Sequence, residues 1–122
     1  MKKKELNENL MDAVSAYNFK EVKRNLENGA NPNYNRIYDT TELQNDINQP
    51  TNPLKLVMFR ISDCLLTDSD LKQYEEIVKL LLQYGADPKP AMKIAESRYG
   101  KYNPDEEESP FMNIWHIIAN AN

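Results

Sequence analysis

Residues 78–89, VKLLLQYGADPK, carry the pattern that decides how this chain folds. Val78, Leu81 and Leu82 recur at the spacing of one helix face, and Gly85 follows shortly after them. A glycine at this point supplies the left-handed residue that closes a helix, and the Asp-Pro pair beyond it favours a turn. The stretch therefore predicts a helix that ends at a defined turn.

The same pattern occurs earlier in the chain, in residues 22–33, VKRNLENGANPN. Both copies continue from an apolar helical face into Gly-Ala, then Asn or Asp, then Pro. Two such matches at equivalent places are much less frequent by chance than one. They indicate a single helix-to-turn unit that is present twice.

Each of these two helices follows another segment with helical apolar spacing. Residues 5–16 precede the first unit, residues 53–65 precede the second, and residues 90–99 and 110–120 form a third pair. No alternating run of β-branched residues occurs, so strand signals are weak. The sequence predicts an all-α fold of six helices in three hairpins. Side chains that can cap these helices are Asn18, Asn52, Thr67 or Ser69, and Ser109.

At these positions the sequence resembles the ankyrin repeat, a unit of about 33 residues that ends in V-x-x-L-L-x-x-G-A-D-x-N. The end motif occurs in residues 22–33 and again from Val78, while the T-P-L-H start is reduced to Pro53-Leu54. The resemblance implies that residues 1–122 form a single domain, an ankyrin-like solenoid of three helical hairpins with β-turn finger loops. The implied repeats cover approximately residues 4–33, 52–89 and 90–120.

The spacing of the two turns departs from that unit. Gly29 and Gly85 lie 56 residues apart. Two insertions account for the excess, one in the finger at residues 34–51 and one at about residues 62–70, between the helices of the second repeat. A further loop, residues 100–109, lies inside the third. We expect specificity to reside in the added residues, because a long loop in a small domain is often functional.

Composition limits the class of function. The chain has 122 residues, a net charge of −4 and one cysteine. The negative charge argues against nucleic acid as a partner, since phosphate binding needs a basic face. The single cysteine permits no internal disulfide, no apolar run approaches the ~20 residues of a membrane span, and no apolar run follows the basic start as in a signal peptide. The expected location is the cytoplasm, with no membrane partner.

Residues suited to catalysis or metal binding are few. Cys64, in the apolar stretch CLL, fits a small core residue better than a nucleophile. His116 is the only histidine, and no partner nucleophile or orienting group is visible in sequence. One Cys and one His do not make a zinc site, and three glycines do not make a phosphate loop. We therefore expect no enzyme activity, no cofactor and no metal, with a small enzyme that uses Cys64 or His116 as the least favoured alternative.

The resemblance instead implies a protein-binding module that contacts its partner through a concave side, formed by the finger loops and the first helix of each hairpin. A dedicated inhibitor, such as a bacterial toxin-immunity or antitoxin protein, fits the small size, the acidity and the lack of a fused effector domain. An effector or adaptor that binds host or regulatory proteins is the alternative. The residues carried over by position as partner-binding are Ser15, Arg36, Tyr38, Asp39, Glu42, Phe59, Arg60, Ser97 and Arg98.

The acidic run at residues 105–108 is the strongest local charge feature. It suggests a basic protein partner, since opposite charges steer association. It fits better, however, a solvated loop that precedes a helix N-terminus, where the helix dipole favours acids. The expected oligomeric state is a monomer.

Overall fold

The computed structural model describes residues 2–36 and 51–121, and this part of the chain is all-helical. One antiparallel bridge joins Arg36 to Thr51, through backbone hydrogen bonds of 3.0 and 2.9 Å. The predicted all-α class is confirmed. The six helices of the described part are α1 (Lys3–Ser15), α2 (Phe19–Glu27), α3 (Pro53–Asp63), α4 (Asp68–Gln83), α5 (Lys89–Tyr99) and α6 (Pro110–Asn120).

Four of the six helices in the described part, α2, α3, α4 and α6, begin where the capping residues of the sequence predict. The Asn18 side chain accepts a hydrogen bond from the third residue of α2 at 3.2 Å, and Asn52 does the same for α3 at 2.9 Å. Ser109 accepts from the third residue of α6 at 3.1 Å. Each cap supplies a partner to one of the N–H groups that a helix start leaves unpaired.

Of the two possible caps for α4, the structure uses Thr67. Its hydroxyl accepts from the Asp70 N–H at 3.1 Å, and the Asp70 carboxylate accepts from the Thr67 N–H at 3.1 Å. This reciprocal pair is a capping box. Ser69 lies inside the first turn of the helix and is exposed.

The two Gly-Ala turns close their helices in the same way. Gly29 has φ +103° and Gly85 has φ +98°, both in the left-handed region. In each copy the glycine N–H donates to the carbonyl three residues back, and the alanine N–H donates to the carbonyl five residues back, over 2.9 to 3.1 Å. These two bonds define the Schellman motif. The two sequence copies therefore form the same turn.

The helices pack in two layers. Within pairs, α1 contacts α2, α3 contacts α4 and α5 contacts α6; across pairs, α1, α3 and α5 contact in order, and so do α2, α4 and α6. The buried apolar residues form one cluster. No helix in the described ranges is long and apolar enough to cross a membrane. Fully buried members of the cluster come from both layers and include Leu10, Val14, Val22, Val57, Met58, Ile77, Val78, Leu81, Ile114 and Ile118.

The second predicted insertion, at about residues 62–70, forms mostly helix. α3 ends at Asp63 and α4 begins at Asp68, so only residues 64–67 connect them. α4 has 16 residues against 9 in α2, because the Thr67 capping box starts the helix early. The predicted helix over residues 53–65 was two residues too long: Cys64 is extended, with φ −121°, and Leu65 is fully exposed.

Candidate functional site

A shallow groove of about 550 Å³ opens between α3 and α5, on the side of that layer that faces solvent. Positions four residues apart lie on one face of a helix, so Lys55 and Phe59 share a face of α3, and Lys93 and Ser97 share a face of α5. The residues that line the groove are Lys55, Phe59, Pro90, Lys93, Ile94, Ser97 and Arg98. Three of the predicted partner-binding residues, Phe59, Ser97 and Arg98, are therefore brought together.

Arg98 is held in place at one end of this groove. Its guanidinium carbon lies 5.3 Å from the centroid of the Phe59 ring, within the range of a cation–π interaction. It also donates to the carboxylate of Asp63, the last residue of α3. Two contacts from α3 thus orient an arginine of α5.

Lys55, Lys93 and Ile94 line the same groove and are not among the residues predicted from the sequence. Lys55 lies four residues before Phe59, and Lys93 lies four residues before Ser97. The helical spacing that placed Phe59 and Ser97 on the surface could therefore have identified these lysines. Their charge gave no signal, because lysines are frequent on every exposed helix face.

Arg36, another predicted binding residue, is bound to α1. Its Nε donates to the Glu8 carboxylate at 2.8 Å, and its Nη2 donates to the Glu8 carbonyl and to the Asp12 carboxylate, each at 2.9 Å. The Tyr34 hydroxyl also donates to Glu8. The hydrogen bond from Tyr34, followed by the charge of Arg36, lowers the pKa of the Glu8 carboxyl, while the same bond raises the pKa of Tyr34. These contacts fix the start of the finger segment against α1.

Arg60 lies between the first two helix pairs. Its Nη2 donates to the Tyr17 hydroxyl at 3.1 Å, and its guanidinium carbon is 5.7 Å from the Tyr17 ring centroid. The Tyr74 hydroxyl beside it raises the pKa of the guanidinium further above its ordinary value. Both Arg60 Nε and Tyr74 Oη are buried and lack an aligned hydrogen bond, so we describe this pair as a charge–dipole contact. Arg60 therefore has an internal packing role.

The remaining predicted binding residues lie apart from the groove. Ser15 is half-buried at the end of α1. Tyr38, Asp39 and Glu42 lie outside the described residues. The acidic residues 105–108 are exposed in the connection between α5 and α6, where the Asp105 N–H donates to the Asn103 side chain at 3.0 Å.

The two residues considered for catalysis have different neighbours. Cys64 is half-buried just after α3, near Arg60 and Tyr74. His116 hydrogen-bonds through Nδ1 to the Tyr102 hydroxyl and packs edge-on against that ring. In residues 2–36 and 51–121, no group of three or more His, Cys, Asp or Glu side chains is placed to hold a metal ion.

The groove combines an oriented arginine, an aromatic ring, two lysines, a serine and two apolar side chains. No protein-family model, curated protein sequence or solved structure matches this chain.

Proposed function

We propose that this chain is a non-catalytic, ankyrin-like protein-binding module that contacts its partner through the α3–α5 groove. The observation that carries the proposal is Arg98, which is held over Phe59 at the edge of an open groove. Arginine and aromatic residues dominate the binding energy of many protein interfaces. A side chain that is already oriented loses less entropy when a partner binds.

The helix order supports the ankyrin-like part of the proposal. Stacked helical hairpins bury one continuous core when first helices pack on first helices and second helices on second helices. The layers α1–α3–α5 and α2–α4–α6 have this order. The predicted repeats, 4–33, 52–89 and 90–120, each contain one helix from each layer.

A contact between the two Gly-Ala turns also supports stacking. Asn33 follows the first turn, and its side-chain oxygen accepts from the Asp87 N–H in the second turn at 2.7 Å. Its side-chain nitrogen donates to the Gly85 carbonyl at 3.0 Å. One amide thus satisfies two backbone groups of the neighbouring turn, as a stack of equivalent units requires.

The proposal is tested by placing a benzophenone photo-crosslinking residue at Ser97, inside the groove, and separately at Gln73, which is exposed on α4. Both variants are expressed in the native cell and irradiated. We expect a discrete adduct with one other protein from position 97 and none of that adduct from position 73. Equal labelling of the same proteins from both positions, or no adduct from position 97, would contradict binding through the groove.

The narrower form of the proposal is a dedicated inhibitor, supported by the acidity of the chain. An immunity or antitoxin protein abolishes the activity of its partner when the two are mixed in equal amounts. The crosslinked partner would be purified and assayed with and without this chain. Unchanged activity of the partner would exclude the inhibitor hypothesis and favour an adaptor or effector, which binds its partner without blocking its activity.

A further inference from the structure

The α3–α5 groove is cationic although the whole chain is acidic. Lys55, Lys93 and Arg98 are three of its seven lining residues, and none of the lining residues in the described ranges is acidic. The chain as a whole carries a net charge of −4. Positive side chains are therefore concentrated in the groove of a chain whose net charge is negative, and such a concentration favours anionic ligands.

The positive charges border an apolar floor. Phe59 and Ile94 are half-buried between the two helices, and Pro90 lies beside them at the start of α5. Lys93 is exposed and forms no ion pair with any residue in the described ranges. A ligand for such a surface needs carboxylates for the rim and an aliphatic or aromatic side chain for the floor.

Asp63 shows which chemical group Arg98 accepts. The Asp63 carboxylate binds one terminal nitrogen of Arg98, and the Asp63 side chain is 54% exposed. Arginine has five N–H donors in a planar fork, so one carboxylate contact leaves others for a second. The stacking on Phe59 holds this fork at the end of the groove, where a carboxylate from a partner can join or displace Asp63.

We infer that the groove binds an acidic segment of a partner protein, in which carboxylates flank an apolar side chain. The inference rests on the proposed function and names the chemistry of the partner. From Pro90 to Arg98 the helix rise gives a groove about 12 Å long, enough for about four extended residues or two helical turns. The expectation of a basic partner came from residues 105–108, which lie outside this groove.

Other anionic ligands fit the groove less well. Tight nucleic-acid binding draws on many phosphate contacts, whereas this groove has three cations in a chain of net charge −4. An anionic membrane presents a broad surface to clusters of four or more basic residues. A short peptide segment can enter a concave groove and also fill its apolar floor.

The test is a selection of random peptides of about twelve residues, which exceed the length of the groove, displayed on phage against the intact chain. The peptides recovered are then measured by fluorescence polarisation against single variants. Lys93→Glu reverses one groove charge, and Lys93→Ala removes it without a new charge. Lys20→Glu is the matched control, because Lys20 is exposed on α2, outside the groove, and an acid there lies in the first helical turn.

We expect enrichment of peptides that combine Asp or Glu with an aliphatic or aromatic residue. Their affinity should fall about tenfold in Lys93→Glu, less in Lys93→Ala and not at all in Lys20→Glu. The affinity for the unchanged chain should also fall as salt rises, since exposed charges are screened. Asp63→Asn should bind these peptides at least as tightly, because it removes the internal competitor for Arg98. Circular dichroism confirms that each variant is folded.

Several results would overturn the inference. These are enrichment without acidic bias, no enrichment at all, or acidic peptides whose binding is equal in Lys93→Glu and Lys20→Glu. Binding to anionic lipid vesicles or to an oligonucleotide that Lys93→Glu abolishes, with no peptide selected, would also overturn it. If crosslinking from position 97 captures a protein whose contacting segment is neutral or basic, the inference fails while the proposed function stands. The absence of any adduct from position 97 would contradict both the inference and the proposed function.

Discussion

At the scale of single residues, Asn33 shows how one side chain joins two distant turns. It bonds Asp87 at 2.7 Å and Gly85 at 3.0 Å, across more than fifty positions of sequence. The contact of Asn33 with the second turn could not be predicted from the sequence, because the pattern around Asn33 indicates only the last residue of a local turn. The same turn also uses a local bond, from the Asn33 N–H to the Asn31 side chain at 2.9 Å.

Replacing Asn33 with alanine should lower the free energy of unfolding by about 1–2 kcal/mol, because two hydrogen bonds between turns are lost together. Urea denaturation followed by circular dichroism measures the change. Asn35→Ala is the control, since Asn35 is exposed and forms no side-chain hydrogen bond within the described residues. Equal stability of the two variants would mean that Asn33 does not hold the turns together.

Tyr74 carries a second residue-scale effect, which appears at alkaline pH. Burial raises its pKa from 10.0 to about 12 in the folded protein. A raised pKa means that the stability from neutral Tyr74 is fully present below pH 10 and is lost as the pH rises toward 12. The stability is lost because Tyr74 deprotonates at a lower pH in the unfolded chain than in the folded one.

The variant Tyr74→Phe cannot undergo this loss. The free energy of unfolding of this variant minus that of the unchanged protein should therefore be about 1 kcal/mol higher at pH 11 than at pH 9. Urea denaturation at the two pH values measures the difference. Tyr84→Phe, at a partly exposed position after α4, is the control. A difference that stays constant between the two pH values would show that Tyr74 titrates normally.

At the scale of elements, the sequence predicted the helix caps and turns, because their hydrogen bonds join residues that are close together in the chain. The Gly29 and Gly85 turns and the Asn18, Asn52 and Ser109 caps each form within six residues, so their patterns are readable in one window. The end of α3 was misplaced because Leu65 continues an apolar pattern while its side chain is exposed. After this connection, α4 begins at Asp68 because of the Thr67 capping box, a signal that hydropathy does not carry.

The capping box of α4 gives a prediction at this scale. Thr67→Ala should cost about 1 kcal/mol of stability, since it removes the side-chain acceptor for the Asp70 N–H. Ser69→Ala should change stability by less than about 0.5 kcal/mol, because Ser69 is exposed inside the first turn. Midpoints of urea denaturation compare the two variants. The reverse order would assign the cap to Ser69.

At the scale of the whole molecule, the parts that sequence could not predict come from contacts between helix pairs. Phe59, Ser97 and Arg98 lie together because α3 packs beside α5, a contact that no single window of sequence shows. The contacts of Arg60 with Tyr17 and Tyr74 were not predicted, since the two tyrosines belong to different helix pairs. The positively charged lining of the groove could not be predicted from composition either, because the net charge of a chain does not show where its charges lie.

The packing of the layers predicts that the three helix pairs unfold together. Trp115, the only tryptophan, lies in α6 against Tyr99, Tyr102 and Phe111, so its fluorescence reports on the surroundings of α6 in the third pair. Far-UV circular dichroism reports on all the helices. Leu10 is fully buried in α1, and Leu10→Ala should cost about 2–5 kcal/mol.

If the pairs unfold as one unit, Leu10→Ala shifts the urea midpoint of the Trp115 fluorescence as much as that of the circular dichroism. The effect would cross from α1 to α6 through α2 and α4, because α2 contacts α1 and α4 contacts both α2 and α6. A fluorescence midpoint that stays in place while the dichroism midpoint falls would show that the third pair folds independently. Cooperative unfolding matters for binding, since the groove uses side chains from two pairs and keeps its shape only while both are folded.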